Sequence, residues 1–393
     1  MADLSKSSVP SVMAPPSEEL AHAIEIVRDY VERKRVIPSH ILDGLDQNQQ
    51  FQLFTPKALG GLELHPVEAL RSMSAIARLD GSIGWVSMIY AVYSFFSGRL
   101  GEKVSAEIFG SGKHRVAGVM APGGRAVPHG DGYLLTGRWA FASGCQHADW
   151  LIVGALVWVD GKPEMTDGVP HVRVFFVPKS QFEVNDTWHV TGLQGTGSHD
   201  IALSGVFASA EYSYNYIADE STRPEALYQV PVFPLFSGAV AAATIGMARR
   251  AIDSYKHSAL KKVTWNADWQ QVSLAQKSSA QTDLGRAEML VDGAEMFLHG
   301  AINELSTSAM GGGGVSAAER GRVRAACINA SINSVQAVNL LRKRLGTAAL
   351  FKNHPLEKAF RDINTAAQHI VLNEDGLELV GRLSFGFPAM GAV

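Results

Sequence analysis

The apolar positions change period twice along the chain. From Ser17 to about Gly112 they recur at helical spacing, as in Leu20, Ile24, Ile26, Val27 and Val31 and again in Ala69, Met73 and Ile76. Gly60 and Gly61 interrupt this pattern, and Pro38, Pro56 and Pro66 mark turns or helix starts. From about Val116 to Ala218, short β-rich runs are separated by Gly, Pro, Asp and Asn. The strands predicted there are Val116 to Met120, Gly132 to Phe141, Trp150 to Val157, Val172 to Val177, Phe182 to Val190 and Ile201 to Phe207. From Pro231 the helical period returns in Ala239 to Lys262, Thr282 to Ser308, Ala317 to Leu345 and Leu356 to Val380, with a glycine-rich break at Gly311 to Gly314. The order helical, β, helical speaks against a doubly wound sheet. It predicts a helical region over 17–115, an antiparallel sheet or small barrel over 116–220, and a helical bundle over 221–393.

With 393 residues, 46% of them hydrophobic, the chain can bury one large core or two to three smaller cores in contact. A net charge of -3 without a run of Lys or Arg gives no footprint for nucleic acid. Cys145 and Cys327 cannot build a disulfide framework or a cysteine-rich metal site, which fits a reducing cytoplasm. His114, His129, His147, His189 and His199 show neither i,i+4 pairing nor a Glu-x-x-His phrase, so no metal is expected and they read as surface or turn positions. The apolar stretches Ile83 to Phe96 and Val230 to Met247 read as buried helices, too short or too interrupted to span a bilayer. The polar start, Met1 to Glu18, reads as a frayed leader and not a signal peptide. No G-x-G-x-x-G phrase opens a βαβ unit, which excludes a Rossmann site for NAD(P)H.

Several phrases carry a family resemblance. They are Leu53-Phe54 through Gly60-Gly61-Leu62-Glu63-Leu64, the run Asp80 to Trp85, the run Gly137 to Gly144 followed by Ala148-Asp149-Trp150, Trp188 with Gly192 to Ser198, and Gly246 to Asp253. In order and spacing they cover nearly the whole chain, which resembles the acyl-CoA dehydrogenase superfamily. That resemblance implies an N-terminal α-helical domain, a central antiparallel β-domain and a C-terminal four-helix bundle, assembled as a homotetramer. Dehydrogenases of the family carry a catalytic carboxylate in a Tyr-Glu-Gly-Thr phrase shortly after an Arg-Asp pair. Here Arg361-Asp362 is followed by Thr365 to Val371, and the carboxylate phrase is missing.

His369 stands in that place, as a histidine does in the two-component monooxygenases that act on p-hydroxyphenylacetate, steroid rings, dibenzothiophene and indoles. The resemblance thus implies an oxygenase component that uses reduced flavin and O2, through a flavin C4a-hydroperoxide, to hydroxylate a small indole-like or phenolic substrate. Imidazole suits a base, because its pKa lies near working pH; a capping or packing histidine is the plainer alternative. Glu374 reads as solvated helix surface. Ser143 is implied to face flavin N5 with its hydroxyl and backbone N–H, against the alternative of a turn serine. Trp139, Phe141, Gly144, Trp188, Thr196 and Ser198 join it as flavin-contacting positions, Trp139 and Phe141 sharing one strand face. Tyr93, Ser94 and Met120 fall where relatives contact substrate, with core packing as the alternative for Tyr93 and Met120.

Lys261 to Asn266 replaces the Arg-x-x-Phe-Gly phrase that would hold the flavin pyrophosphate, so FAD and FMN both stay open. Electrons must then arrive with flavin reduced by a separate NAD(P)H-dependent reductase. An acyl-CoA dehydrogenase, an S- or N-oxygenase of the same branch and a non-catalytic member are the competing readings.

Overall fold

The computed structural model describes residues 16–110, 115–166, 168–216 and 218–388. Most of the polar start, and His114, lie outside them. Five helices come first: α1 (Glu18–Lys34), α2 (Ser39–Gln47), α3 (Pro66–Leu79), α4 (Gly81–Tyr93) and α5 (Glu102–Phe109). The β-domain follows, with β1 (Val116–His129), β2 (Gly132–Ala142), β3 (Trp150–Val159), the short β4 (Lys162–Pro163), β5 (Met165–Thr166) and β6 (Val169–Pro170), then β7 (Val172–Pro178), β8 (Glu183–Asn185), β9 (His199–Ser209) and β10 (Ser213–Asn215). The chain then enters α6 (Val232–Lys261), the hairpin β11 (Val263–Trp265) and β12 (Gln271–Ser273), and α7 (Ser278–Met310), α8 (Ala317–Leu345), α9 (Pro355–Ala366) and α10 (Leu377–Ser384).

The main sheet runs β10-β7-β3-β1-β2-β9-β8, with β4 on β3. It is not wholly antiparallel as expected: β1 and β3 run parallel, Val116 opposite Trp150. The connection after β2 reverses the chain but carries it across to the far edge of β1, so β3 must run in the direction of β1. That crossing segment begins at Ser143 and is buried beneath α4, where Tyr90 donates to the Gly144 carbonyl (2.7 Å).

Two further expectations change. The run Phe182 to Val190 pairs only as β8, and Trp188 lies in a loop, where its indole N–H donates to Leu193 O (2.9 Å). The helix expected over Leu356 to Val380 stops at Ala366, because side chains take over the backbone bonds of two tight turns: His369 Nδ1 accepts from Val371 N (3.3 Å) and Asn373 Oδ1 accepts from Asp375 N (3.0 Å). His369 therefore sits on a turn and not on a helix face.

Every residue of α4 is buried, and this helix touches the β-domain on one side and α6 and α9 on the other. Asp80 caps its start, accepting from Ser82 N (2.9 Å) and Ile83 N (3.1 Å). α6 is longer and more continuous than expected: it runs for 30 residues and contains an 18-residue window with a mean hydropathy of 1.4, which passes by length and composition as a membrane span, yet 89% of that window is buried in the fold. It crosses α3 at Gly246, where a Cβ would lie 2.2 Å from Ser74 O and 2.7 Å from Ala77 Cβ. Gly246→Ala must push the two helices apart, an overpacking cost of about 1–3 kcal/mol, read as a lower urea midpoint with an unchanged slope.

Candidate functional site

Alternation along β2 fails at its end. The β2–β9 register shifts between Trp139 and Ala142, and Phe141 adopts φ 68°, a left-handed conformation that costs a bulky side chain on the order of 1–3 kcal/mol. Trp139 and Phe141 consequently do not share a face. Trp139 is 2% exposed and its Nε1 donates to Gly154 O (2.7 Å) inside the sheet. Phe141 is 69% exposed, its ring edge-on to Trp188 at 6.0 Å. The structure places Trp139 in the β-domain core, away from the surface formed by Phe141 and Trp188.

Beyond Phe141 the turn is closed by its own hydrogen bonds. Ser143 N–H donates to Phe141 O (2.9 Å), Gly144 N–H to Thr196 O (2.9 Å) and Cys145 N–H to Ala142 O (3.1 Å). The backbone N–H of Ser143, expected to be offered to flavin, is thus already committed. Three buried hydroxyls line up behind it: Ser143 Oγ lies 2.7 Å from Ser198 Oγ, Ser198 Oγ lies 2.6 Å from Thr196 Oγ1, and Thr196 donates to Leu193 O (2.8 Å). From the other side, the indole N–H of Trp85 on α4 donates to Ser143 Oγ (3.1 Å).

The loop that carries Thr196 is held by the Arg-Asp pair of α9. Arg361 donates to Thr191 O (2.8 Å), while Asp362 Oδ1 accepts from Leu193 N (2.7 Å). Asp362 is buried and pairs with Lys358 Nζ (2.6 Å), which also lies 3.0 Å from Asp80 Oδ2. One buried cation thus ties together the cap of α4, α9 and the 191–196 loop. Burial raises the Asp362 carboxyl, partly offset by Lys358.

His369 comes to the same place from the far end of the chain. Its ring lies 5.8 Å from that of Trp85 and 5.8 Å from that of Phe236 on α6; Phe236 stacks on Tyr93 at 6.1 Å. Burial, helped by the nearby Arg324 guanidinium, lowers its pKa to about 4. With Nδ1 accepting from Val371 N–H, the single proton of the neutral ring belongs on Nε2. His65 and His354 make the same local cap, accepting from Val67 N (3.3 Å) and Leu356 N (3.2 Å). At His369 the cap occupies one nitrogen only. Held this way, the buried ring is neutral near neutral pH and carries its hydrogen on the nitrogen that the cap does not use.

Among the other expected positions, Tyr93 faces Phe236 and donates to Gly118 O (3.0 Å). The Ser94 hydroxyl is engaged by the local backbone: its Oγ accepts from Phe54 N (3.1 Å) and donates to Ala91 O (2.7 Å). Met120 is buried in β1, with its carbonyl packed against Gly154. Glu374 is exposed. His199, expected near the surface, is buried and accepts from Trp188 N (3.4 Å). Trp85 and Phe236 are the site residues that sequence reasoning missed. Both lie in helices apolar on all sides, where periodicity cannot tell a pocket wall from core.

Phe141 and Trp188 present an exposed aromatic edge above a turn whose hydrogen-bonding serine is buried. Such a surface fits a planar ring system with one polar edge, as a flavin has. Residues 239–374 match the family model of the acyl-CoA dehydrogenase C-terminal domain. The oxygenase subunit HsaA of Mycobacterium tuberculosis, a flavin-dependent monooxygenase, is 27% identical over 91% of this chain and 91% of its own. A solved HsaA structure from that organism superposes with a TM-score of 0.87 at 26% identity, covering 95% of this chain and 97% of the other. The oxygenase component of the FADH2-dependent resorcinol hydroxylase of a Rhizobium species is 27% identical over 93% and 91% of the two chains. XiaF from a Streptomyces species, solved with FADH2 and glycerol, superposes with a TM-score of 0.86 over 95% of each chain at 26% identity. The C-terminal helices thus carry the likeness to the acyl-CoA dehydrogenase family. Over nearly its whole length the chain is similar to two-component flavin-dependent monooxygenases, and it is an enzyme of that class.

Proposed function

We propose that this chain is an oxygenase component that takes up flavin reduced elsewhere, by a separate NAD(P)H-dependent reductase, and places one oxygen atom of O2 on a small phenolic or indole-like ring. The other oxygen leaves as water. Reduced flavin, once bound, supplies the electrons and the activated oxygen. What the protein supplies is a dry wall and directed hydrogen bonds.

The observation that carries this reading is the position of Trp85. Its indole N–H holds Ser143 while its ring faces His369, so residues more than two hundred positions apart in sequence meet at one wall. Tyr93, Phe236 and Trp85 give that wall the aromatic surface an electron-rich ring packs against. His369 acts as a neutral donor through Nε2–H, orienting the oxygen of the substrate or the oxygen being transferred. Ser143 meets the flavin at N5, and Phe141 and Trp188 flank the ring. The division into 17–115, 116–220 and 221–393 belongs to the same reading, as does a homotetramer built through the last of these. Met289 (66% exposed) and Met296 (75% exposed) on α7 are apolar surface that such assembly would cover.

The test supplies the chain with FAD or FMN reduced by an added reductase and with phenol- or indole-type substrates, and follows hydroxylated product by mass spectrometry. Product that requires both the reductase and this chain supports the proposal. Absence of product, together with bleaching of bound oxidised flavin by an acyl-CoA, would favour a dehydrogenase. Ser143→Ala is expected to raise the hydrogen peroxide released per flavin oxidised; unchanged coupling would remove Ser143 from this role.

A further inference from the structure

Phe233 and Phe236 stand three positions apart at the start of α6, and so on one face of it. Phe236 meets the His369 ring, whereas Phe233, with Pro234 and Ser237, lines a cavity of about 260 Å³ between α6, α8 and α10. That volume lies just below the roughly 300–1,000 Å³ of drug-sized ligand sites, so it suits a small molecule or one arm of it. Its other wall is cationic: Arg320 and Arg324 reach it from α8 and Arg382 from α10. Arg324 is fixed in place. It donates to Val371 O (3.0 Å) and Ile370 O (3.2 Å), bracing the turn that carries His369, and a Cβ at Gly376 would lie 2.4 Å from its Nε. Arg382 is held more loosely. It donates to Pro388 O at 3.5 Å, its Nε is buried without a partner, and its guanidinium lies 5.8 Å from the centre of the Phe387 ring. Among the described residues, neither Arg324 nor Arg382 pairs with a carboxylate. Asp375 and Glu378 also line the cavity, but both are exposed, and Asp375 accepts from the Asn373 amide (3.1 Å). Burial lowers the Arg324 pKa, the mark of a cation partly stripped of water. A cation so placed gains from an anion that enters the cavity.

We propose that this cavity binds the carboxylate of an aromatic acid, with Arg324 and Arg382 as specificity-determining residues and the ring held toward Phe236 and His369. The inference rests on the reading above in which those two residues face the substrate ring. It narrows the substrate from phenols and indoles at large to those that carry an acidic side chain. A guanidinium presents a planar fork of N–H groups that matches the two oxygens of a carboxylate. A flavin phosphate is the other anion at hand, but Phe141, Trp188 and Ser143, assigned to the flavin ring, lie on none of the helices that build the cavity.

The test is steady-state hydroxylation by the full-length chain with added reductase. The substrates are 4-hydroxybenzoate, 4-hydroxyphenylacetate, 3-(4-hydroxyphenyl)propionate and indole-3-acetate, each paired with its methyl ester. At least one acid is expected to exceed its ester in kcat/KM by about tenfold or more, the scale of a charge-assisted hydrogen bond. Arg382→Met should lower that acid-to-ester ratio by about tenfold, chiefly through KM for the acid, and Arg382→Lys, which keeps the charge, should restore part of it. Arg324→Gln, which keeps donors for the Ile370 and Val371 carbonyls, should lower the ratio in the same direction. Equal loss on acid and ester in Arg382→Met marks a merely structural role and overturns the inference. Weaker binding of reduced FMN by Arg382→Met, with the acid-to-ester ratio kept, assigns the cation to the flavin phosphate and also overturns it. Esters hydroxylated as well as every acid overturn it too, while leaving the oxygenase reading standing. No product from any acid or ester overturns both.

Discussion

His369→Asn is expected to lower aromatic hydroxylation by about a hundredfold or more while leaving the fold and flavin affinity nearly unchanged. The substitution is chosen because Asn can take over the local cap: Asn373 already accepts from Asp375 N in the adjoining turn. What it removes is the ring edge between Trp85 and Phe236. The pH dependence separates donor from base. With a pKa near 4, His369 is neutral throughout the ordinary working range, so wild-type turnover should show no His369-dependent rise between about pH 5 and 8. Stability carries the complementary signature. The folded pKa is below the value of 6.5 expected when unfolded, so the unfolded chain binds the proton more readily. Stability is lost as pH falls from 6.5 toward 4, by up to about 3 kcal/mol from this residue. His369→Asn should flatten that part of the curve. Urea midpoints measured across the range, with product formation at each pH, check both statements; a turnover that rises with a pKa near 6.5 and loses that rise in His369→Asn would restore the base.

Lys358→Met is expected to be the most destabilising of the changes considered, by about 3–5 kcal/mol near neutral pH, because it leaves two buried carboxylates without their cation. Asp80 and Asp362 are each almost fully buried. Losing Lys358 removes the attraction that favours the charged form of Asp362, so that carboxyl should protonate more readily. The deficit is therefore largest at neutral pH and shrinks as the medium becomes acidic. Because Asp362 also holds Leu193 N–H, flavin affinity should fall along with stability. Chemical denaturation at neutral and mildly acidic pH measures the first effect, and anaerobic equilibrium titration with reduced flavin measures the second. A Lys358→Met protein as stable as wild type would remove the buried cation from its place as the tie between α4, α9 and the 191–196 loop.

Much of this architecture is written in the hydrophobic period. The change from helix to strand and back is visible because both periods repeat over several turns or strands. The parallel β1–β3 pair is not, since each strand has the same alternation whichever neighbour it joins. The positive φ of Phe141 also escapes the pattern, because alternation assumes unbroken pleat and a bulge reverses it. The break at His369 was hidden by apolar residues that continue at helical spacing past Ala366, while the side-chain caps that end the helix act over two residues only. His369 and Ser143 were legible through family phrases. Trp85 was not identified as their bridge, because a buried indole in an all-apolar helix gives no signal until its N–H partner is known. Ser94 shows the converse, a residue at an expected place whose hydroxyl the local backbone has already engaged.

The central claim is tested most directly by supplying the chain with enzymatically reduced flavin, a phenol or an indole, and heavy-isotope oxygen gas, and then weighing the product. One heavy oxygen atom is expected in the aromatic product, formed only when this chain is present. Product oxygen drawn from water, or complete conversion of the oxygen to hydrogen peroxide with every such substrate, would contradict it.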